Sequence, residues 1–153
     1  MDPHTDHLME FLTNEGYRPT LRPDGDIAFK SDGGFFLIRL DPNDDQYFAI
    51  AFPNFWPLKD ESEVVRALRA ANRVTTRTKA AKVIVLEKRR DVWVTVEFFA
   101  HGTEQFEATF GRLLSGLRYA VQKFGEEMRA SEPLADGRIA LSRGQVTRFQ
   151  HGN

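Results

Sequence analysis

The fold is decided by a stretch in the first half of the chain, residues 26–52, which reads DIAFKSDGGFFLIRLDPNDDQYFAIAF. Three alternating apolar runs lie within it, namely Asp26–Ser31, Phe35–Leu40 and Gln46–Phe52. Residues 32–34 and 41–45 separate the runs and are rich in Gly, Asp, Asn and Pro, which favour tight turns. Strands joined by such short connections are antiparallel, because a parallel return needs a longer crossover. The stretch therefore predicts a three-stranded antiparallel meander. Its third strand is apolar on both sides, which predicts a central position with cover on both faces.

Helical patterns flank the meander. Before it, three apolar residues share one helical face of a predicted helix over Thr5–Glu15, and they are Leu8, Phe11 and Leu12. After it, Asp60 is the predicted N-cap of a second helix, with Glu63 placed to complete a capping box. The buried face predicted for this second helix carries Val64, Val65, Leu68, Ala71 and Thr75.

Two further strands and a long helix follow. The strands are predicted over Lys82–Lys88 and Val92–Phe99, and the helix from a Thr103 cap to about Arg129. Apolar residues recur along that helix at spacings of three and four, at Phe106, Phe110, Leu113, Leu117, Val121, Phe124 and Met128. The order helix, three strands, helix, two strands, helix predicts an α+β fold, with residues 1–129 as a single domain. Residues 130–153 form a C-terminal extension, which either stays loose or adds an edge strand through Ile139–Leu141.

Composition excludes several classes of function. The chain of 153 residues has no cysteine, which excludes disulfides, thiol catalysis and cysteine-ligated metals. The polar, acidic N-terminus does not resemble a signal peptide, and no apolar run is long enough to span a bilayer. We therefore expect a cytoplasmic protein with no membrane partner. Residues 1–63 hold 13 acidic and 5 basic side chains, whereas residues 64–153 hold 9 acidic and 16 basic ones. These charges either mix within the fold or form two poles that aid self-association.

Catalytic signatures are weak. Gly33–Gly34 lacks the Lys-Ser/Thr end of a phosphate loop and is followed by a strand pattern. Glu97 is the most interesting carboxylate, but alternation places it with Trp93, Thr95 and Phe99 on the wetter face of its strand. His4 and His7 lie beside two aspartates at the terminus, where order is usually poor. We expect no catalytic residue, no metal and no cofactor, with a small hydrolase that uses Glu97 or the histidines as a distant alternative.

Two surface features are candidates for binding. Four arginines, spaced by three and four residues, form a stripe on the second helix: Arg66, Arg69, Arg73 and Arg77. We expect the stripe to face solvent, where it either is a solvated surface or binds a polyanion such as nucleic acid. The second feature is the stiff loop Pro53–Pro57, whose Asn54, Phe55 and Trp56 either close over the core or contact a partner. Asn72 is expected on the buried side of the second helix, as a hydrogen-bonded structural residue.

The sequence as a whole resembles the YbjN family of bacterial proteins, which carry the label of candidate sensory transduction regulators. The resemblance rests on Glu15–Tyr17, Asp24–Phe29, Ala67–Asn72, the pair Lys79 and Lys82, and Phe106–Phe124. It implies the fold of the type III secretion chaperones, an α-β-β-β-α-β-β-α unit that commonly dimerises. The resemblance supplies no catalytic residues.

These observations lead to one expected function and two alternatives. We expect a non-enzymatic homodimer that binds a protein or peptide in a chaperone-like or regulatory role, with Asn54, Phe55 and Trp56 at the contact. Polyanion binding through the arginine stripe is the second candidate, and the small hydrolase is the third.

Overall fold

The computed structural model describes residues 3–133 and contains three helices and six strands within that range. In chain order the elements are α1 (Pro3–Asn14), β1 (Thr20–Leu21), β2 (Ile27–Ser31), β3 (Gly34–Asp41), β4 (Asp44–Phe52), α2 (Glu61–Arg77), β5 (Ala81–Leu86), β6 (Asp91–Phe99) and α3 (Thr103–Ala130). The α+β prediction is confirmed. Residues 139–141, for which the sequence left a loose extension and an edge strand open, lie outside the described residues.

All strands pair antiparallel in one sheet of order β1-β2-β3-β4-β6-β5. The meander is therefore β2-β3-β4, and β4 is central, as predicted. The turn between β2 and β3 consists of Asp32 and Gly33, whose φ angles of 47° and 77° both lie in the left-handed region. Such a pair of residues is typical of the tightest hairpins, because its backbone matches the twist of the strands.

The three helices pack on one face of the sheet. The apolar core is formed by α1, α2 and α3 together with alternate residues of the longer strands, among them Phe29, Phe36 and Phe48. Strand β4 is buried on both faces, as predicted, since Phe48 and Ile50 on the helix side and Ala49 and Ala51 on the other side are all buried. On that other side the small alanine side chains lie low between longer neighbours.

The second helix is rotated relative to its predicted orientation. Its buried residues are Val64, Ala67, Ala70, Ala71 and Val74. Val65 and Leu68, both predicted to be buried, are 46% and 41% exposed. The alanines allow α2 to approach the sheet and α3 closely, and this close packing outweighs the larger apolar area of Val and Leu. The prediction for Asn72 is wrong for the same reason, since the rotation places it on the exposed side.

The helix termini agree with the sequence at α2 and differ at α3. Asp60 caps α2 by accepting a hydrogen bond from the Glu63 amide at 2.9 Å. The Glu63 carboxylate accepts from the Lys59 amide at 2.7 Å, one residue before the expected partner. At α3 the N-cap is Gly102, and Thr103 is the first helical residue, with its side chain buried. The Thr103 cap prediction is therefore wrong.

The edge strand β5 is partly protected by α2. Thr75 accepts a hydrogen bond from the Val83 amide at 3.0 Å, and Thr78 donates its hydroxyl to the Ala81 carbonyl at 3.2 Å. These threonines satisfy backbone groups that an edge strand otherwise offers to another chain. Edge-to-edge pairing at the start of β5 is thereby blocked. Among the described residues no helix is long and apolar enough to cross a membrane.

Candidate functional site

The sheet face opposite the helices is the candidate site, and we call it the open face. Strand alternation places on it the side chains of Phe35, Arg39, Tyr47, Lys82, Trp93, Glu97 and Phe99. In the middle of this face the central strand contributes only small residues, Ala49 and Ala51. Longer side chains from the neighbouring strands therefore extend across the centre of the sheet.

Arg39 and Trp93 meet across the central strand. Arg39 lies on β3 and Trp93 on β6, and the guanidinium carbon is 5.9 Å from the centre of the indole ring. The Nε of Arg39 also donates to Asp26 at 3.2 Å. Burial raises the pKa of Asp26 above its usual value although the Arg39 charge opposes the shift. This carboxylate is therefore poorly hydrated, and Arg39 is its main compensating partner.

The Trp93 indole is held in place by a hydrogen bond that it donates to Asn54, two residues beyond the end of β4. Its Nε1 donates to Asn54 Oδ1 at 2.9 Å. Asn54 adopts a left-handed backbone with φ of 50°, a conformation that Asn tolerates better than most residues. Asn54 therefore belongs to the open face and fixes the indole against it.

A second polar cluster lies beside the alanines. Glu97 forms an ion pair with Lys82 and accepts a hydrogen bond from the Tyr47 hydroxyl at 3.0 Å. Partial burial alone would raise the pKa of Glu97, but the bonds from Lys82 and Tyr47 outweigh it and lower this pKa. Partial burial, followed by the contact with the same carboxylate, raises the pKa of Tyr47. A carboxylate with a lowered pKa is a poor base at neutral pH, which disfavours the general-base role for Glu97.

The open face also presents exposed aromatic surface. Phe99 is 74% exposed, and its ring centre lies 6.3 Å from that of Tyr47 in an edge-on arrangement. Phe35 is 39% exposed near the opposite end of the face. Aromatic rings beside paired charges, on a rigid sheet, are typical of surfaces that bind proteins.

The loop Pro53–Pro57 is divided between the open face and the core. Phe55 and Trp56 are half-buried, and both rings contact Phe124 of α3, at centre distances of 5.4 Å and 5.7 Å. Only Asn54 reaches the open face. The geometry favours core closure for the two aromatic residues, and their role in partner binding stays a prediction.

The arginine stripe does not face solvent as a unit. Arg66 donates from Nη2 to the Met128 carbonyl at 2.6 Å, at the last turn of α3. Arg73 and Arg77 both contact the Glu127 carboxylate, at 3.1 Å and 3.3 Å. Arg69 is exposed and has no partner among residues 3–133. Three arginines thus join α2 to α3, and polyanion binding by the stripe stays a prediction.

The histidines described by the structure have separate surroundings. His7 Nε2 lies 2.6 Å from Glu107 Oε1, which links α1 to α3 when the imidazole is protonated, and the His4 ring packs on Phe48. Within residues 3–133 no three His, Cys, Asp or Glu side chains converge as a metal site would require.

Sequence reasoning found part of the open face. Alternation along β6 correctly grouped Trp93, Glu97 and Phe99, because side-chain direction within a strand is local information. It missed Arg39 and Tyr47, because their positions depend on the register between strands. The signal available for Arg39 was its charge within an otherwise apolar strand.

Comparison with known proteins gives fold relatives. No family model matches the sequence, and no curated protein matches it. Among solved structures, YbjN from E. coli, provisionally assigned as a transcription regulator, has a TM-score of 0.61 at 12% identity, over 81% of this chain and 93% of that one. A chain of the HopA1–SchA chaperone–effector complex has a TM-score of 0.54 at 15% identity, over 78% and 90%. An uncharacterised protein from Methanothermobacter thermautotrophicus has a TM-score of 0.55 at 10% identity, over 82% and 99%.

These likenesses establish the fold. The chain has the architecture shared by YbjN and by a chain of the HopA1–SchA chaperone–effector complex, so the resemblance noted in the sequence is confirmed at the level of fold. Identities this low carry no residue roles, and the function has to be argued from the surface described above.

Proposed function

We propose that this protein is a non-enzymatic binding domain that holds a protein or peptide partner on its open face, in a chaperone-like or regulatory role. The observation that carries the proposal is the exposed Phe99 beside the paired charges of Glu97 and Lys82. An aromatic ring that is mostly exposed on a rigid strand loses little conformational entropy when a partner buries it. The similarity to a chain from a chaperone–effector complex supports a protein as the partner.

The chemistry of the open face indicates what the partner presents. Arg39 and Lys82 offer cations, Glu97 offers an anion, and Phe99 and Trp93 offer apolar rings. A complementary segment would place apolar residues over the rings and charges of both signs beside them. A surface of this kind fits a protein or peptide better than a polyanion, because both signs of charge are present.

We further propose a homodimer that leaves the open face free. Val65 and Leu68 lie one helical turn apart on α2 and are exposed although apolar. They lie on the helix side of the sheet, so an isologous contact of two α2 helices would not cover Phe99. The protected start of β5 favours helix contact over edge-to-edge pairing of strands.

Comparative capture from native lysate tests the open face. A photoreactive phenylalanine analogue replaces Tyr47, and crosslinked products are compared by mass spectrometry with and without Phe99→Glu. The matched control is Leu21→Glu. Leu21 is 42% exposed, but its pairing with Ile27 places it on the helix side of the sheet. We expect one partner protein to disappear with Phe99→Glu and to remain with Leu21→Glu. Equal crosslinking in both variants would contradict the proposal.

A further inference from the structure

An open cavity lies on the helix side of the sheet and is separate from the open face. It is a groove of about 610 Å³ between the end of α2 with the connection that follows it, strand β6 and the middle of α3, and we call it the α2–α3 groove. Val96 and Leu113 give it an apolar lining, and Tyr119 supplies an aromatic wall. Its volume falls in the range typical of small-molecule sites.

The charged residues that line this groove are all basic. Arg77, Lys79 and Arg112 line it, and none of the lining residues is acidic. Arg77 shares the single Glu127 carboxylate with Arg73. Lys79 and Arg112 have no ion-pair partner within residues 3–133. Unpaired cations beside an apolar lining attract a ligand that combines a negative group with an apolar body.

Two residues that line the groove have backbone features that cost local stability. Gly116 of α3 lines it, and a Cβ built at this glycine would meet no atom within 4 Å. A glycine inside a helix costs stability relative to any ordinary residue, and here the missing side chain leaves open space. Ala80, at the rim, has a φ of 61°, a left-handed conformation that is strained for alanine. Both features oppose local stability, and both shape the same cavity.

From this geometry we infer that the α2–α3 groove binds a small amphipathic organic anion, such as a medium-chain carboxylate. The carboxylate lies between Lys79 and Arg112, and the apolar body lies along Val96, Gly116 and Tyr119. The inference does not rest on partner binding at the open face, because the two surfaces share no residue.

Calorimetric titration of the full chain with decanoate, below its micelle concentration, tests the inference. We expect binding that weakens with salt, and uncharged decanol should bind about tenfold more weakly or not at all. Anionic phosphatidylglycerol vesicles form a second arm. If the groove binds the free anion, the protein should not co-sediment with these vesicles. Binding to the vesicles without binding to decanoate would overturn the inference.

Two helical glycines of α3, Gly111 and Gly116, provide a matched pair of variants. Gly116→Leu fills the groove, whereas Gly111→Leu adds the same side chain to α3 outside it, also into open space. Both changes replace a helical glycine by a better helix former, so both variants should fold with a melting temperature at or above that of the wild type. We expect Gly116→Leu to weaken decanoate binding by about tenfold or more, and Gly111→Leu to leave it unchanged.

A second pair of variants tests whether decanoate binding requires the positive charge of the groove. Arg112→Gln should weaken decanoate binding several-fold, and Arg69→Gln, which removes an exposed arginine outside the groove, should not. Decanol binding as tightly as decanoate, or equal losses in Gly116→Leu and Gly111→Leu, would overturn the inference. Phe99→Glu should bind decanoate normally, which separates a failure here from a failure of the proposed partner site.

Discussion

The position of Trp56 in the sequence fits two different roles, an exposed contact residue and a residue that packs on the core. Its place between Phe55 and Pro57 suggests an exposed anchor, yet its ring packs edge-on against the fully buried Phe124. A half-buried indole in that position excludes water from one end of the core. The contact with Phe124 makes loss of stability the first consequence of its removal.

We expect Trp56→Ala to lower the free energy of unfolding by about 2–3 kcal/mol, less than the cost of removing a fully buried Trp. Urea unfolding measures this change, with Trp56→Phe as a control that retains an aromatic ring and should lose about half as much or less. Association, followed by light scattering, should not change. A variant of wild-type stability that no longer associates would instead restore Trp56 as a contact residue.

The polar residues of the open face make opposite contributions to stability as pH falls. The pKa of Glu97 is lowered in the folded protein, so its contribution is present above the ordinary value of 4.5 and is lost as pH falls through the folded pKa. The pKa of Asp26 is raised by burial, so the ionised form is disfavoured in the fold and acid relieves that cost.

Glu97→Gln should therefore make the free energy of unfolding depend less on pH in the acid range. Between about pH 5 and about pH 3 the wild type should lose more free energy of unfolding than the variant, because only the wild type has this carboxylate to protonate. Urea unfolding at several pH values measures the difference. Glu10→Gln is a control on the exposed surface of α1 and should follow the wild type. Parallel curves for wild type and Glu97→Gln would show that the Lys82 and Tyr47 contacts do not stabilise the fold.

At the scale of elements, three arginines of the arginine stripe join α2 to α3, although the sequence predicted that the stripe would face solvent. Arg66 donates to the Met128 carbonyl, one of the carbonyls at the end of α3 that lack a partner within the helix. A cation at a helix C-terminus also interacts favourably with the helix dipole. Arg66 therefore acts as a C-terminal cap supplied by a neighbouring helix.

Arg66→Met, which retains much of the apolar stem, should lower the free energy of unfolding by about 1.5–3 kcal/mol, the usual worth of a hydrogen bond to a charged group. Arg69→Met, on the exposed side of the same helix, should change it by less than about 0.5 kcal/mol. Thermal and urea unfolding of the two variants give the comparison. Equal effects would show that the Met128 contact adds nothing.

The arginine stripe also makes a test at low salt possible. Because three of its members contact α3, we expect weak retention of the wild type on heparin, with elution well below physiological salt. Tight retention that Arg69→Glu abolishes without loss of stability would revive polyanion binding as the function.

At the scale of the whole molecule, the charges of the two halves of the chain pair within one fold. Asp32 contacts Arg118 at 3.1 Å, and Glu61 contacts Arg90 at 3.3 Å, each across the boundary between the acidic and basic halves. These pairs support mixing of the charges over two separate poles. Self-association then depends on apolar contact more than on opposite charge.

Light scattering after gel filtration, at low micromolar concentration, should give about twice the chain mass of 17.5 kDa. The double variant Val65→Glu with Leu68→Glu should give the single-chain mass, because it places charges in the proposed helix contact. Leu21→Glu, at a comparably exposed apolar residue of β1, should remain dimeric. A monomeric wild type would contradict the proposed homodimer and weaken the analogy with chaperones.

The sequence by itself determined the elements whose cause is local. The Asp32–Gly33 turn, the Asp60 cap and the alternation along β4 depend on residues a few positions apart, so they could be predicted. The tertiary structure decided which side of each element is used. On α2 the buried side carries Ala67 and Ala70 and not Leu68, because close helix packing needs small side chains, which a hydrophobicity pattern does not favour. The tertiary structure also brought Arg39 of β3 to Trp93 of β6, since pairing between distant strands sets that contact, and no local rule encodes it.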